Sequence, residues 1–220
     1  MLVFFLYIVH SPTLLILAAI LMAMVTTVLY AVWHFNRRIP GLRLWTLSYL
    51  CGFVFTVVLL LRDQLPEWVS VLLAQGAVGI MGYLCLLGGR AYMGRGRLWH
   101  GYGVGAIVLM VGVSVYLTAV QPNFGARFLI SSWGSAAFYL LTAHVLARGG
   151  LHAFPARYLM AFAAAMHGVF LLLRPLVFRL GDALAPGVDL VQALPQLIVL
   201  ESIVATVLIA FGILMLTNEF

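Results

Sequence analysis

Seven long apolar runs, each cut off by a short polar break, leave this chain few ways to fold. The runs cover residues 12–35, 43–62, 68–89, 99–120, 126–147, 155–179 and 191–217. A helix needs about 20 mostly apolar residues to cross a bilayer, and each run is long enough. The breaks carry loop chemistry: Arg37-Arg38-Ile39-Pro40-Gly41, Asp63-Gln64-Leu65-Pro66-Glu67, Gly94-Arg95-Gly96-Arg97, Gln121-Pro122-Asn123, Arg148-Gly149-Gly150 and the stretch 181–189. Connections this short make consecutive helices antiparallel neighbours. Composition closes the other exits. The chain is 65% hydrophobic and 8% charged, against about 25% charged residues in soluble domains. That excludes a soluble enzyme, a disordered chain and a DNA-binding module. The expected fold is all-α: one polytopic membrane bundle of seven transmembrane helices over residues 1–220.

Arginine placement sets an expected orientation. Arg37, Arg38, Arg43, Arg90, Arg95, Arg97, Arg148 and Arg157 fall on one side, and Arg62, Arg127, Arg174 and Arg179 on the other. The richer side is expected in the cytoplasm, which puts the N-terminus outside and the C-terminus inside. Residues 1–10 are apolar but lack a basic n-region and an A-x-A site, so they do not read as a signal peptide. They are expected at the outer interface or as an extension of the first helix. Every basic residue is arginine, mostly in short loops, so the net charge of +6 is no nucleic-acid footprint. The expected partner is the lipid bilayer. The absence of lysine removes Schiff-base chemistry. Cys51 and Cys85 lie in separate spans without a C-x-x-C, so neither a redox pair nor a zinc site is indicated.

Small residues mark faces where helix backbones can approach closely. Gly76, Gly79 and Gly82 stripe the third run, Gly101 and Gly105 form G-x-x-x-G in the fourth, and Ala161, Ala165 and Gly168 line the sixth. Packing inside one chain or a dimer face would each use them.

Charges inside a bilayer are costly and mark functional candidates. Glu201 sits about two turns into the last run, and Arg174 lies near the end of the sixth, before Pro175. These two should occupy similar depths, so a Glu201–Arg174 pair is expected, with Arg62 able to join. His167 precedes Arg174 by seven residues and shares its face. Arg62, His167, Arg174 and Glu201 thus form a candidate ligand-binding or buried polar cluster; a pair that only fixes packing is the competing reading.

A membrane histidine serves as a hydrogen-bonded packing residue, a metal or haem ligand, or a protonation switch. His34 and His144 lie near the cytoplasmic ends of their runs, His100 begins the fourth and His152 is in a loop. His34, His144 and His167 are the haem or metal candidates, although no C-x-x-C-H accompanies them. The cofactor stays open. Ser135 opposite His167 is a poor serine–histidine dyad, because Trp133-Gly134-Ser135-Ala136 lacks the glycine after the serine. Pro175 and Pro195 do not form matched broken helices, so inverted-repeat transport is weakly supported.

Three stretches carry a resemblance: Trp33-His34-Phe35-Asn36-Arg37-Arg38-Ile39-Pro40-Gly41-Leu42-Arg43-Leu44-Trp45, Leu60-Leu61-Arg62-Asp63-Gln64-Leu65-Pro66-Glu67-Trp68, and the final helix from Leu200-Glu201 to Thr217-Asn218-Glu219. Together they resemble the N-terminal multi-helix membrane sensor modules of bacterial GGDEF-type diguanylate cyclases. The likeness spans nearly the whole chain as a pattern of runs, and the matching motifs are short. It implies Arg62, Arg174 and Glu201 as pattern residues, a bacterial inner-membrane location, and a homodimer acting through the last helix. It also implies a signalling helix leading into a cyclase that makes cyclic di-GMP. The Gly-Gly-Asp/Glu-Glu-Phe signature is missing and the final helix reads as cut at Phe220. The expectation is therefore a sensor of a small ligand, redox carrier or membrane condition, with no catalytic activity of its own. A haem- or metal-binding redox protein and a small transporter are the alternatives. A Soret band would mark the first; uptake lost on Glu201→Gln would mark the second.

Overall fold

The computed structural model describes residues 11–95, 100–148, 155–184 and 190–219. The opening segment 1–10, Arg97, the Gly149-Gly150 break and His152 lie outside the described residues, as does the Arg179 side chain. The described chain is all-helical, with seven helices long and apolar enough to cross a membrane. They are α1 (Ser11–Phe35), α2 (Leu42–Leu60), α3 (Glu67–Tyr92), α4 (His100–Ala119), α5 (Phe124–Ala147), α6 (Ala156–Leu184) and α7 (Leu190–Asn218). A short 3-10 turn, Arg62–Gln64, follows α2.

Local chemistry places the helix ends. Gly41 stands at φ 84°, in the left-handed region, and opens α2. A Cβ there would also strike the Gly88 carbonyl of α3. The Arg37–Gly41 break is therefore a tight turn pressed against a neighbour. Asn123 caps α5, its side-chain oxygen accepting from the Ala126 N–H at 2.9 Å. α6 does not stop at Pro175 but continues to Leu184. Proline offers no N–H to the Leu171 carbonyl and loosens that turn. The Trp133 indole of α5 donates to the next carbonyl, Leu172, at 3.3 Å, so α5 supports the weakened stretch.

Packing pairs close a circuit from α1 through α2, α3, α5, α6 and α7 back to α1. Aromatic anchors hold it. Trp45 is fully buried, donates from Nε1 to the Cys85 carbonyl at 3.2 Å, and lies against Gly88. Tyr49 of α2 and Tyr92 of α3 both reach α7. Their hydroxyls donate to the carbonyls of Thr206 at 2.8 Å and Leu216 at 3.2 Å. In hydrocarbon no water competes for such bonds, so these hydroxyls are satisfied inside the bundle.

Helix α4 stands outside the circuit, packed on α3 and α5. Only Met110 and Ser114 of it are buried. Its ends are tied by side chains. Tyr83 Oη and His100 Nδ1 lie 2.9 Å apart at one end. At the other, Arg127 donates to the Thr118 hydroxyl at 2.8 Å and pairs with Glu67 at 3.0 Å.

The small-residue expectations divide. Gly79 faces Met110, Gly82 faces Phe138, and Gly168 faces Leu140. Gly76 and Gly105 have open space around them, and Gly101 is exposed. The G-x-x-x-G of α4 is thus not a packing face. The glycine that packs is Gly103, against the Tyr83 ring, because the azimuth of α4 is set by Tyr83 and not by the motif. Ala165 is only half-buried, and Ala161, Ala163 and Ala164 carry the contact on α6.

Seven alternating spans put Ser11 and Asn218 at opposite ends. Among the described residues, the end holding the α1–α2 turn carries Arg37, Arg38, Arg43, Arg90, Arg95, Arg148 and Arg157 beside one acid, Glu219. The other half carries Arg62, Arg127 and Arg174 with Asp63, Glu67 and Glu201. Arg157 stands in the first turn of α6. It is buried, and its guanidinium lies 4.6 Å from the Tyr158 ring centroid and donates to that hydroxyl at 2.7 Å.

Candidate functional site

Two facing helices, α6 and α7, carry the most costly polar residues inside the bundle. His167 Nδ1 lies 2.9 Å and 3.1 Å from the two carboxyl oxygens of Glu201. Their side chains are 11% and 16% exposed, so the carboxyl depends on this partner. Both distances fall in the hydrogen-bonding range, which makes the contact forked. One proton serves it. Either Nδ1–H donates to the carboxylate, or a carboxyl O–H donates to bare Nδ1.

The ring of Tyr139, from α5, stands edge-on to the imidazole, with centroids 4.6 Å apart and planes at 87°. Tyr139 is itself buried. Edge-to-face packing adds attraction beyond buried area and fixes the plane of the imidazole. The pair is thereby oriented from a third helix.

Arg174 sits two turns further along α6. Its Nε donates to the Ser132 hydroxyl at 2.7 Å, and its guanidinium lies 4.8 Å from the Phe128 ring centroid. Ser132 passes its own proton to the Phe128 carbonyl at 2.6 Å. The direct partner of Glu201 is His167. The expected Glu201–Arg174 pair is therefore replaced by His167–Glu201 and Arg174–Ser132. The physical reason is reach. Seven residues along a helix are about 10 Å, so Glu201 meets only one of the two.

The expected cluster of four is thus brought together in part. His167, Glu201 and Arg174 share the α5–α6–α7 junction. Arg62 does not join them: it is exposed in the turn after α2. The other histidine candidates lie elsewhere. His34 is exposed and stacked on Tyr30 at 6.1 Å, and His144 is exposed near the end of α5. Their helices, α1 and α5, are not a packing pair, so these two imidazoles do not face each other across a helix contact. Among the described residues, no three His, Cys, Asp or Glu side chains group in a way that would hold a metal ion. Ser135, weighed as a dyad partner for His167, has no hydrogen-bond partner on its buried Oγ.

Sequence reasoning missed Phe128, Ser132 and Tyr139. A signal for them exists. Phe128, Ser132, Ser135, Tyr139, Thr142 and Leu146 recur at alternating steps of four and three along α5, which places them on one face. That face carries hydroxyls and rings where a lipid-facing stripe would be aliphatic.

No protein-family model, curated protein or solved structure matches this chain.

Proposed function

We propose that this membrane-embedded domain is a sensory relay, in which the His167–Glu201 contact sets the position of the last helix. The observation that carries the reading is the location of that contact. It joins α6 to α7, is oriented by α5, and so ties the last described helix to its two neighbours in the junction. Ligand binding or proton uptake that changes this contact biases two packings of α7 against α6. Tyr49 and Tyr92 hold α7 nearer its far end through single hydrogen bonds to backbone carbonyls. Such bonds can re-form one carbonyl away as the helix shifts.

The resemblance to the membrane modules of GGDEF-type diguanylate cyclases supports a cyclase as the output, reached through a helix continuing α7. The arginine-rich end then lies in the cytoplasm of a bacterial inner membrane, consistent with the charge bias. Pairing of the output domains would bring two copies together along α7.

A fusion tests the relay. A cyclase catalytic domain is joined to Asn218 in two helical registers, and cyclic di-GMP is measured in cells at equal protein levels. Glu201→Gln and His167→Gln should each change output severalfold in at least one register, and Gly105→Leu should not. Equal output from all variants in both registers would remove the relay. Orientation has its own test: cysteines placed at Arg95 and Asn123 should label oppositely with an impermeant maleimide.

A further inference from the structure

A groove of about 410 Å³ runs between α1 and α2 on the outside of the bundle. It ends at the arginine-rich turn. We propose that it binds an anionic phospholipid, with the headgroup phosphate on Arg43 and one acyl chain along the groove.

The groove is graded in the way an amphiphile is. The part farther from the break is lined by Leu47, Leu50 and the three threonines Thr26, Thr27 and Thr46. Those threonines offer no free donor. Thr26, Thr27 and Thr46 give their hydroxyl protons to the carbonyls of Met22, Ala23 and Leu42, at 2.6, 2.8 and 3.0 Å. That part of the groove is therefore apolar in effect and suits a hydrocarbon chain. Less than one helical turn nearer the break, about 4.5 Å from Thr27 to Tyr30 and from Thr46 to Arg43, the lining changes to Tyr30, Trp33 and Arg43. Tyrosine and tryptophan favour the headgroup level of a bilayer.

Charge selects the headgroup. Arg43 is exposed, and among the described residues its guanidinium meets only the Trp33 ring, 6.0 Å from the centroid. Arg37 and Arg38 stand exposed in the same turn. The one described acid at this end, Glu219, lies beyond the end of α7. Three guanidinium groups thus face the headgroup layer without a carboxylate on their own helix pair. A phosphate ester takes two parallel hydrogen bonds from one guanidinium, and basic pockets between membrane helices are a recurrent way of holding anionic lipids. A zwitterionic lipid supplies the same tail and phosphate, but its ammonium cancels the attraction.

The test uses the whole chain in mild detergent, mixed with equal amounts of phosphatidylglycerol and phosphatidylcholine of identical tails, and native mass spectrometry of the bound lipid. Phosphatidylglycerol should dominate the first adduct. Arg43→Gln should lower its ratio to phosphatidylcholine about fivefold, the effect of one basic residue near an anionic surface. Arg43→Lys should retain most of the ratio. Arg148→Gln, which removes an exposed arginine at the same end, should leave the ratio unchanged. Thr27→Phe fills the groove without altering charge and should reduce adducts of both lipids. Equal binding of the two lipids by the native chain would overturn the proposal. So would an equal drop in Arg148→Gln and Arg43→Gln, which would assign the preference to diffuse charge over the whole face.

Discussion

Helices α4 and α5 lie side by side and both pack on α3, yet the bundle uses them in opposite ways. α4 is the more apolar over its membrane-crossing window, and α5 is the least apolar of the seven. A soluble protein would bury the first and expose the second. Here α4 buries two residues, whereas α5 buries Ser132, Ser135, Tyr139, Thr142 and five others. Lipid tails are as apolar as leucine, so hydropathy gives no reason to leave them. Hydroxyls and small residues do give one, through close packing and hydrogen bonds. In this chain, polarity within a span marks the protein-facing side.

The comparison can be broken most sharply by adding bulk to a glycine that packs against α5 and to one on α4. Gly168→Leu pushes a side chain into Leu140 on α5, including its backbone nitrogen. It should cost about 3 kcal/mol, the upper range for overpacking, and lower the melting temperature in detergent accordingly. A near-neutral Gly168→Leu would mean that α5 and α6 do not pack as described.

The next effect lies within the α5–α6–α7 junction. A double-mutant cycle on His167→Gln and Glu201→Gln should give a coupling of about 1–2 kcal/mol, within the range for groups in direct contact. The parallel cycle on Arg174→Met and Glu201→Gln should give less than ~0.5 kcal/mol. A reversed ranking would restore the Glu201–Arg174 pair expected from depth alone.

Tyr83→Phe removes the hydroxyl that meets His100 and loosens one end of α4. Single side-chain hydrogen bonds within membranes are worth about 0.6 kcal/mol, so the global melt should barely move. Amide exchange should rise locally in the first turns of α4 and stay unchanged in α5. Exchange rising in both would show that α4 is not a separate unit. Smallest of all is Gly105→Leu, which enters open space on α4. It should stay within ~0.5 kcal/mol of the native chain, as surface substitutions do.

These contrasts also mark what the sequence discloses. The spans are legible because length and apolarity alone decide them, and all seven runs became helices with ends close to those expected. The sixth run, expected over 155–179, passes through Pro175 as expected and extends further, to Leu184, with Trp133 of α5 donating to the turn that the proline loosens. The site was legible by residue and not by pairing. Glu201, His167 and Arg174 stand out because charge and imidazole are rare inside a bilayer. Which of them touch depends on helix azimuth, and a run that is apolar on every side carries little azimuthal information. The hydroxyl stripe on α5 is where that information resided. Motif reading failed at Gly101 and Gly105 for a related reason, since spacing alone does not say which neighbour a glycine faces.

Closure of the circuit by α7 has a consequence for how the molecule is made. Ribosomes deliver α1 through α6 first, and during that interval the slot between α1 and α6 is empty. His167 then lacks its carboxyl, and the Tyr49 and Tyr92 hydroxyls lack the carbonyls they finally bind. Three polar groups on three different helices wait for one late segment. That segment brings its own burden, a glutamate, into the membrane. Arrival of α7 answers all four needs in one insertion event. Biogenesis of this bundle therefore has a final committed step, and a nascent chain stalled before residue 201 offers quality-control machinery a clear mark of incompleteness: unsatisfied polar groups facing lipid.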